Sequence, residues 1–207
     1  AGSGYDGRVK RHVPVLLLAA CALVLAWSGF HPKDRFTWFM EVLPALAAAP
    51  VLAATRRRFP LTTLAYVLIA VHAAILMVGG RYTYAQVPVG FAVRDWLHLA
   101  RNPYDRLGHF AQGFVPAILV REVLLRTSPL RKGKWLAFLV TCVCLAISAF
   151  YEFIEWWTAV ASGSAADAFL GTQGDPWDTQ WDMFTALIGA ITAQVVLGRW
   201  HDAQVER

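Results

Sequence analysis

Charge is the scarcest property of this sequence. Only 16% of its 207 residues are Asp, Glu, Lys or Arg, against about 25% in an average soluble domain. Intrinsic disorder, which needs low hydrophobicity and high charge, is excluded. Cysteine is scarce too. The three present, Cys21, Cys142 and Cys144, all fall inside apolar runs, so a disulfide-stapled secreted scaffold is excluded. Cys142 and Cys144 point about 200° apart on a helix, which rules out a chelating pair and leaves small packing residues. The GxSxG, Walker, HExxH and CxxC motifs are all missing, so none of their chemistries is signalled. Internal repeats and low-complexity segments are absent as well.

Apolar residues fill the space that charge leaves. They make up 57% of the chain, with a mean hydropathy of +0.45 and nine Trp. They gather in six runs, near 13–30, 37–54, 61–80, 106–125, 135–158 and 181–199. Each approaches the roughly 20 residues that cross a bilayer as a helix. A helix is required because backbone groups in hydrocarbon must bond within their own segment. The runs also lack the alternation of barrel strands. The expected fold is a single all-α membrane domain over residues 1–207: a bundle of six transmembrane helices with tails at 1–12 and 200–207. The first run is too long for a signal-peptide core and lacks a small-residue cleavage site. The Gly/Ser-rich opening, AGSGYDG, has no initiating Met and reads in part as an expression scar.

Lys and Arg orient the bundle. With six spans both termini share a side, and that side collects 13 Lys and Arg against 6 on the other. The positive-inside rule therefore makes both termini cytoplasmic. Orientation accounts for the net charge of +5, and no nucleic-acid partner is implied.

Ionisable groups inside a span cost roughly 2.5–3.5 kcal/mol each at its centre, so each calls for a reason. Three pairs occur at helical spacing. Asp105 and His109 open span four, Glu152 and Glu155 lie near the end of span five, and Asp178 and Asp182 open span six. Positions i and i+3 or i+4 share a helix face. All six lie within about 10 Å of the outer helix ends at 1.5 Å per residue. Facing one another, they would form a cleft at the outer interface. Five clustered carboxylates need protons, Arg partners or a metal ion. An oxygen-rich set with one imidazole suits a divalent Zn, Mg, Mn or Ca ion, with His109, Glu152, Glu155, Asp178 and Asp182 as its ligands. The competing reading makes Asp105, Asp178 and Asp182 helix-terminal caps, neutralised by Arg81, Arg94, Arg101 and Arg106.

Around this set, Trp156, Trp157, Trp177 and Trp181 fit an outer aromatic belt. Arg81, Tyr82, Tyr84, Asp105 and Arg106 are candidates for holding a head group. His72 reads as a polar contact between helices, and His12, His31 and His201 as interface residues. His98 is a candidate accessory residue in the outer loop.

The segments YTYAQVP, RNPYDRLGHFAQGFVPAILVREVLLR, YEFIEWW and GTQGDPWDTQWDMFTALIGA resemble the YjdF family of bacterial inner-membrane proteins, a family of unknown function. The family pattern places His before YTY, where this chain has Arg81. A ligand at that position would be missing here. A wider resemblance is to VanZ-like proteins. Their Asp-Lys-x-x-His-Phe is matched by Asp105, Arg106, His109 and Phe110, their acidic pair by Glu152 and Glu155, and their closing helix by Asp182 and Gly189. Their Asn after that Asp is replaced by Thr185 or Ala186. This resemblance implies a shared helical core from span four to span six and supplies no reaction.

The expected activity is metal-assisted hydrolysis or group transfer on a membrane lipid or lipid-linked substrate. Glu152, Glu155, Asp182 and His109 would be the catalytic groups. The alternatives are a non-catalytic protein that binds a lipid or antibiotic and, less favoured, a small-solute transporter. Transport calls for polar residues at mid-depth in several helices. Here they are sparse, and the acids lie to one side.

Overall fold

The computed structural model describes residues 7–163 and 167–206, with side chains from His12 onward except Asp167. The N-terminal AGSG and Arg207 lie outside the described residues, as do the side chains of Arg8, Lys10 and Arg11. Eight helices are described: α1 (Gly7–Gly29), α2 (Arg35–Thr55), α3 (Thr63–Arg81), α4 (Pro88–Leu97), α5 (Tyr104–Thr127), α6 (Lys134–Ser162), α7 (Asp167–Leu170) and α8 (Asp178–Val205). No strand occurs among the described residues.

Five helices, α1, α2, α3, α6 and α8, are long and apolar enough to cross a membrane. The remaining long helix, α5, has 24 residues, about 36 Å of helix. It is not among them, and Asp105, Arg106, Arg121, Glu122 and Arg126 lie along it. Two short helices that the hydropathy pattern does not reveal sit in the long loops, α4 between α3 and α5, and α7 between α6 and α8. The last helix is longer than expected, running on through residues 200–205 that read as a tail.

Helix boundaries follow local chemistry. Asp34 caps α2 by accepting from the Thr37 amide at 2.6 Å, and Thr62 caps α3 by accepting from the Ala65 amide at 3.3 Å. Such caps satisfy donors left open at helix starts. Pro88 opens α4, where its missing N–H costs nothing.

The bundle has two halves. α3 packs on α1 and α2, α5 packs on α6 and α8, and α3 joins the halves by packing on α5. Outside surfaces are strongly apolar, with Leu16, Leu23, Val143, Phe150, Val195 and Val196 exposed. A water-soluble protein does not present such a surface.

The tightest contact joins α5 and α8. A Cβ on Gly113 would lie 1.8 Å from the Ala186 carbonyl oxygen, and one on Gly189 2.2 Å from that of Phe110. Only glycine permits this backbone approach, the usual device for packing helices in lipid. Below the crossing, Ala117, Ile118, Leu136, Val140, Cys144, Ala190 and Ala193 form a buried core.

The far end of the bundle is locked by a polar knot. Glu122 is fully buried and accepts from the Thr62 amide at 3.0 Å, the Thr62 hydroxyl at 2.8 Å and Arg126 at 2.8 Å, with His201 Nε2 at 3.2 Å. It ties α3, α5 and α8 together. His201 is therefore a buried residue of the core and not the expected interface residue.

Gly189→Ala is expected to destabilise the protein by about 1–3 kcal/mol through overpacking. Gly198→Ala, whose Cβ meets nothing within 4 Å, is expected to gain up to about 1 kcal/mol from helix propensity. Thermal unfolding of both variants in detergent checks the contrast.

Candidate functional site

Parallel packing of α5 and α8 brings their first turns together at one end of the bundle, and the end of α6 meets them there. The local loops fix this arrangement. Asn102 is buried just before α5. It donates through its amide to Gln173 Oε1 at 3.1 Å and through Nδ2 to the Val87 carbonyl at 3.0 Å, and Gln173 Nε2 donates back to the Asn102 carbonyl at 3.1 Å. The Asn102 Oδ1 accepts from the Tyr104 amide at 3.0 Å. This exchange holds the loop before α8 against the start of α5.

His109 stands at the centre of the polar end. Its Nε2 lies 3.6 Å from Asp105 Oδ1 and 3.7 Å from Asp182 Oδ2, and its Nδ1 lies 3.9 Å from Glu152 Oε1. Two groups of possible ligand atoms share it. Asp105, His109 and Asp182 offer atoms within 4.8 Å of one another, and so do His109, Glu152 and Glu155. Gln112 Oε1 lies 3.1 Å from His109 Nδ1 and orients the ring.

The two groups differ in charge balance. On the aspartate side, Arg101 donates to Asp178 at 2.5 Å and to Asp105 at 3.0 Å. Arg106 donates to Asp178 at 2.9 Å and to Asp175 at 3.2 Å, and pairs with Asp182. Two guanidinium groups thus serve four carboxylates; of the four arginines expected there Arg94 instead pairs with Asp95 at 2.7 Å, and neither α5 nor α8 has the expected side-chain cap. On the glutamate side no Lys or Arg makes a salt bridge with Glu152 or Glu155 among the described residues. Glu152 Oε1 is buried without a hydrogen-bond partner. Such an atom in a low-dielectric setting is costly.

Beside the glutamates lies a cavity of about 220 Å³. Its polar lining comprises Glu41, His72, Tyr84, Asp105, His109, Gln112, Tyr151 and Glu155, and its apolar lining Pro44, Leu76, Pro116 and Ile147, with Gly108 between. Tyr84 is wedged between α3 and α5. A Cβ on Gly79 would lie 2.2 Å, and one on Gly108 2.8 Å, from its ring. Its left-handed φ of 50° follows a similar value at Thr83, a strained turn that directs the ring inward.

The expected residues are partly gathered. His109, Asp105, Asp182, Glu152 and Glu155 come together, and Tyr84 joins them at the cavity. Asp178, expected as a metal ligand, falls outside both ligand groups because Arg101 and Arg106 occupy it. Arg106, expected to hold a head group, is spent on Asp175, Asp178 and Asp182. Arg81 lies elsewhere: it donates to the Trp27 and Phe30 carbonyls at 2.5 Å, closing the end of α1. Tyr82 packs near Trp27, with ring centroids 6.3 Å apart. His98 is exposed and ends α4 in a left-handed conformation. Trp156, Trp157, Trp177 and Trp181 are exposed and absent from the cavity wall, in line with a belt.

Sequence reasoning missed Glu41 and Tyr151. Glu41 is buried in α2 and accepts from the Tyr151 hydroxyl at 3.3 Å. It is the single acid within span two, so the cost of burying charge could have flagged it. It has no acidic partner one turn away and escaped a search for pairs. His72, read as an interhelical contact, lines the cavity.

The family described as "Predicted membrane protein (DUF2238)" matches residues 13–203. The chain belongs to the DUF2238 family. It is 59% identical over 185 residues to "Inner membrane protein YjdF" of Escherichia coli strain K12, an alignment covering 89% of this chain and 88% of that protein. The chain is accordingly an integral, multi-pass protein of the inner membrane. No solved structure matches. The match spans every element of the site just described, so this DUF2238 protein carries its polar end within the family region. The likeness to VanZ-like proteins stays one of motif.

Arg106→Met is expected to destabilise by about 3 kcal/mol, because it leaves buried carboxylates without their counter-charge. Adding Asp182→Asn should recover part of the loss. Melting temperatures of the single and double variants measure the coupling.

Proposed function

We propose that this protein is a membrane-embedded enzyme acting at the outer, periplasmic face of the inner membrane, where a divalent metal ion assists hydrolysis or group transfer on a lipid or lipid-linked substrate. The observation that carries the reading is Glu152. Its Oε1 is buried and unpartnered, it faces His109, and Glu155 lies alongside. The aspartate side has its own guanidinium groups and, among the described residues, the glutamate side has none. A divalent ion held by His109, Glu152 and Glu155 would supply the missing positive charge. It would also lower the pKa of a bound water. A carboxylate that is not a ligand, such as Asp182 or Glu41, would then take the proton.

The reading places six spans across the membrane, with α5 as the fourth of them and both termini in the cytoplasm. Support comes from the ends of the bundle. The polar cluster sits at the end where α5 and α8 begin, and Arg56, Arg57, Arg58, Arg131, Lys132, Lys134 and Arg199 belong to the other end. That basic end suits the cytoplasmic side. The charges of α5 are turned to protein: Asp105, Arg121 and Glu122 are buried, and Arg121 pairs with Asp202 at 2.6 Å.

Elemental analysis of protein purified without chelator tests the metal. Wild type is expected to carry a stoichiometric divalent ion, and the combined His109→Ala and Glu152→Ala variant to lose it while still folding. A metal-free wild type would overturn the metalloenzyme reading.

A further inference from the structure

The cavity beside His109 is closed on three sides. α3 packs on α2 and α5, and α5 packs on α6. The remaining side, between α2 and α6, is not packed along its length. Two lining residues there, Pro44 on α2 and Ile147 on α6, are also exposed on the outside of the bundle. One and two turns along the same faces, Ala47 and Val51 on α2 and Val143 and Phe150 on α6 are exposed apolar side chains. In a protein of the inner membrane, the medium at that face is hydrocarbon. Above the gap, α7 contacts both α2 and α6, and its Phe169 is buried. The opening is therefore roofed toward water and faces sideways. One polar contact crosses it, the Tyr151 hydroxyl donating to Glu41 Oε2 at 3.3 Å.

The lining changes character with depth. On α5 it runs from Asp105 to Pro116, about 16 Å at 1.5 Å per residue, and on α6 from Glu155 to Ile147, about 12 Å. Carboxylates, His109 and the tyrosines occupy the outer part. Pro44, Pro116 and Ile147 occupy the deeper part, with His72 and Gln112 the polar exceptions there. This sequence of polar and apolar surface follows the sequence of head group and acyl chain in the neighbouring leaflet.

We propose that a zwitterionic phospholipid of the surrounding bilayer enters this slot sideways between α2 and α6, the ammonium of its head group toward Glu41 and Glu155, its phosphate toward His109 and one acyl chain against Pro44, Pro116 and Ile147, with the Glu41–Tyr151 contact as the latch. The proposal deepens the reading above by giving the substrate class and its route, and it requires no metal.

The experiment measures phospholipid retained per protein by mass spectrometry after extensive detergent washing, and the rate at which it exchanges with deuterated phospholipid. Wild type is expected to retain phospholipid in stoichiometric amount. Ile147→Trp, which fills the slot, should lose it. Ile191→Trp, on an exposed face of α8, should keep it. Tyr151→Phe, which removes the latch bond, should exchange lipid about five-fold faster, the effect of one ordinary hydrogen bond. A melting curve for each variant separates loss of the slot from loss of the fold, and Tyr151→Phe tests the latch if Ile147→Trp does not fold. Equal retention in wild type and folded Ile147→Trp, or an unchanged exchange rate in Tyr151→Phe, overturns the proposal. Metal content of the same samples keeps the two readings apart. Retained lipid without metal sinks the metalloenzyme and leaves the slot, and metal without retained lipid does the reverse.

Discussion

Two parallel helices meeting at glycine hold the polar end of this protein together. Gly113 and Gly189 let the backbones of α5 and α8 approach to where no Cβ would fit. Because the helices run the same way, their N-termini lie side by side, and each brings acids in its first turns. Helix N-termini favour negative charge, but two together with Asp105, Asp175, Asp178 and Asp182 exceed what dipoles offset. Arg101 and Arg106 complete the balance from the same region. Close packing, parallel direction and shared counter-charges are one constraint. Widening the crossing would draw Asp182 away from both His109 and Arg106.

The same constraint explains why α5 can be charged and still lie within the bundle. Its ionisable groups sit near its two ends and are satisfied by other helices. At one end they meet the start of α8. At the other, Glu122 gathers Thr62, Arg126 and His201, and Arg121 takes Asp202. A burial cost of several kcal/mol per charge is thereby offset locally, with small residues between. Hydropathy alone rejects α5 for its composition, whereas its partners account for each charge.

Much of the polar end was legible in the sequence because charge is so rare there. The pairs Asp105–His109, Glu152–Glu155 and Asp178–Asp182 stood out against apolar runs, and their spacing gave the shared face. Glu41 was equally anomalous but stood alone, and only the packing of α2 on α3 brings it to the cavity. Arg81 and Arg106 illustrate the opposite limit. A basic residue near an interface has many possible partners, and here the carbonyls ending α1 claimed one and three aspartates the other. The helices α4 and α7 escaped because each is too short for a hydropathy signal. The extension of α8 escaped because residues 200–205 are polar along an inner face fixed by His201, Asp202 and Gln204.

The two ends of the bundle also differ in what they allow to move. The Glu122 end is tied across α3, α5 and α8, and further by Gln204 accepting from the Leu64 amide at 3.1 Å. Every tie there crosses between helices that are already packed. At the His109 end the ties are dense on the aspartate side and reduce to a single hydroxyl between α2 and α6. A bundle clamped at its base and along one side opens where its restraints are fewest. That place borders Glu152 and Glu155, with which no Lys or Arg pairs among the described residues. The chemistry left unsatisfied and the packing left unclosed thus fall on the same side of His109, while its other side is given over to holding the helices in place.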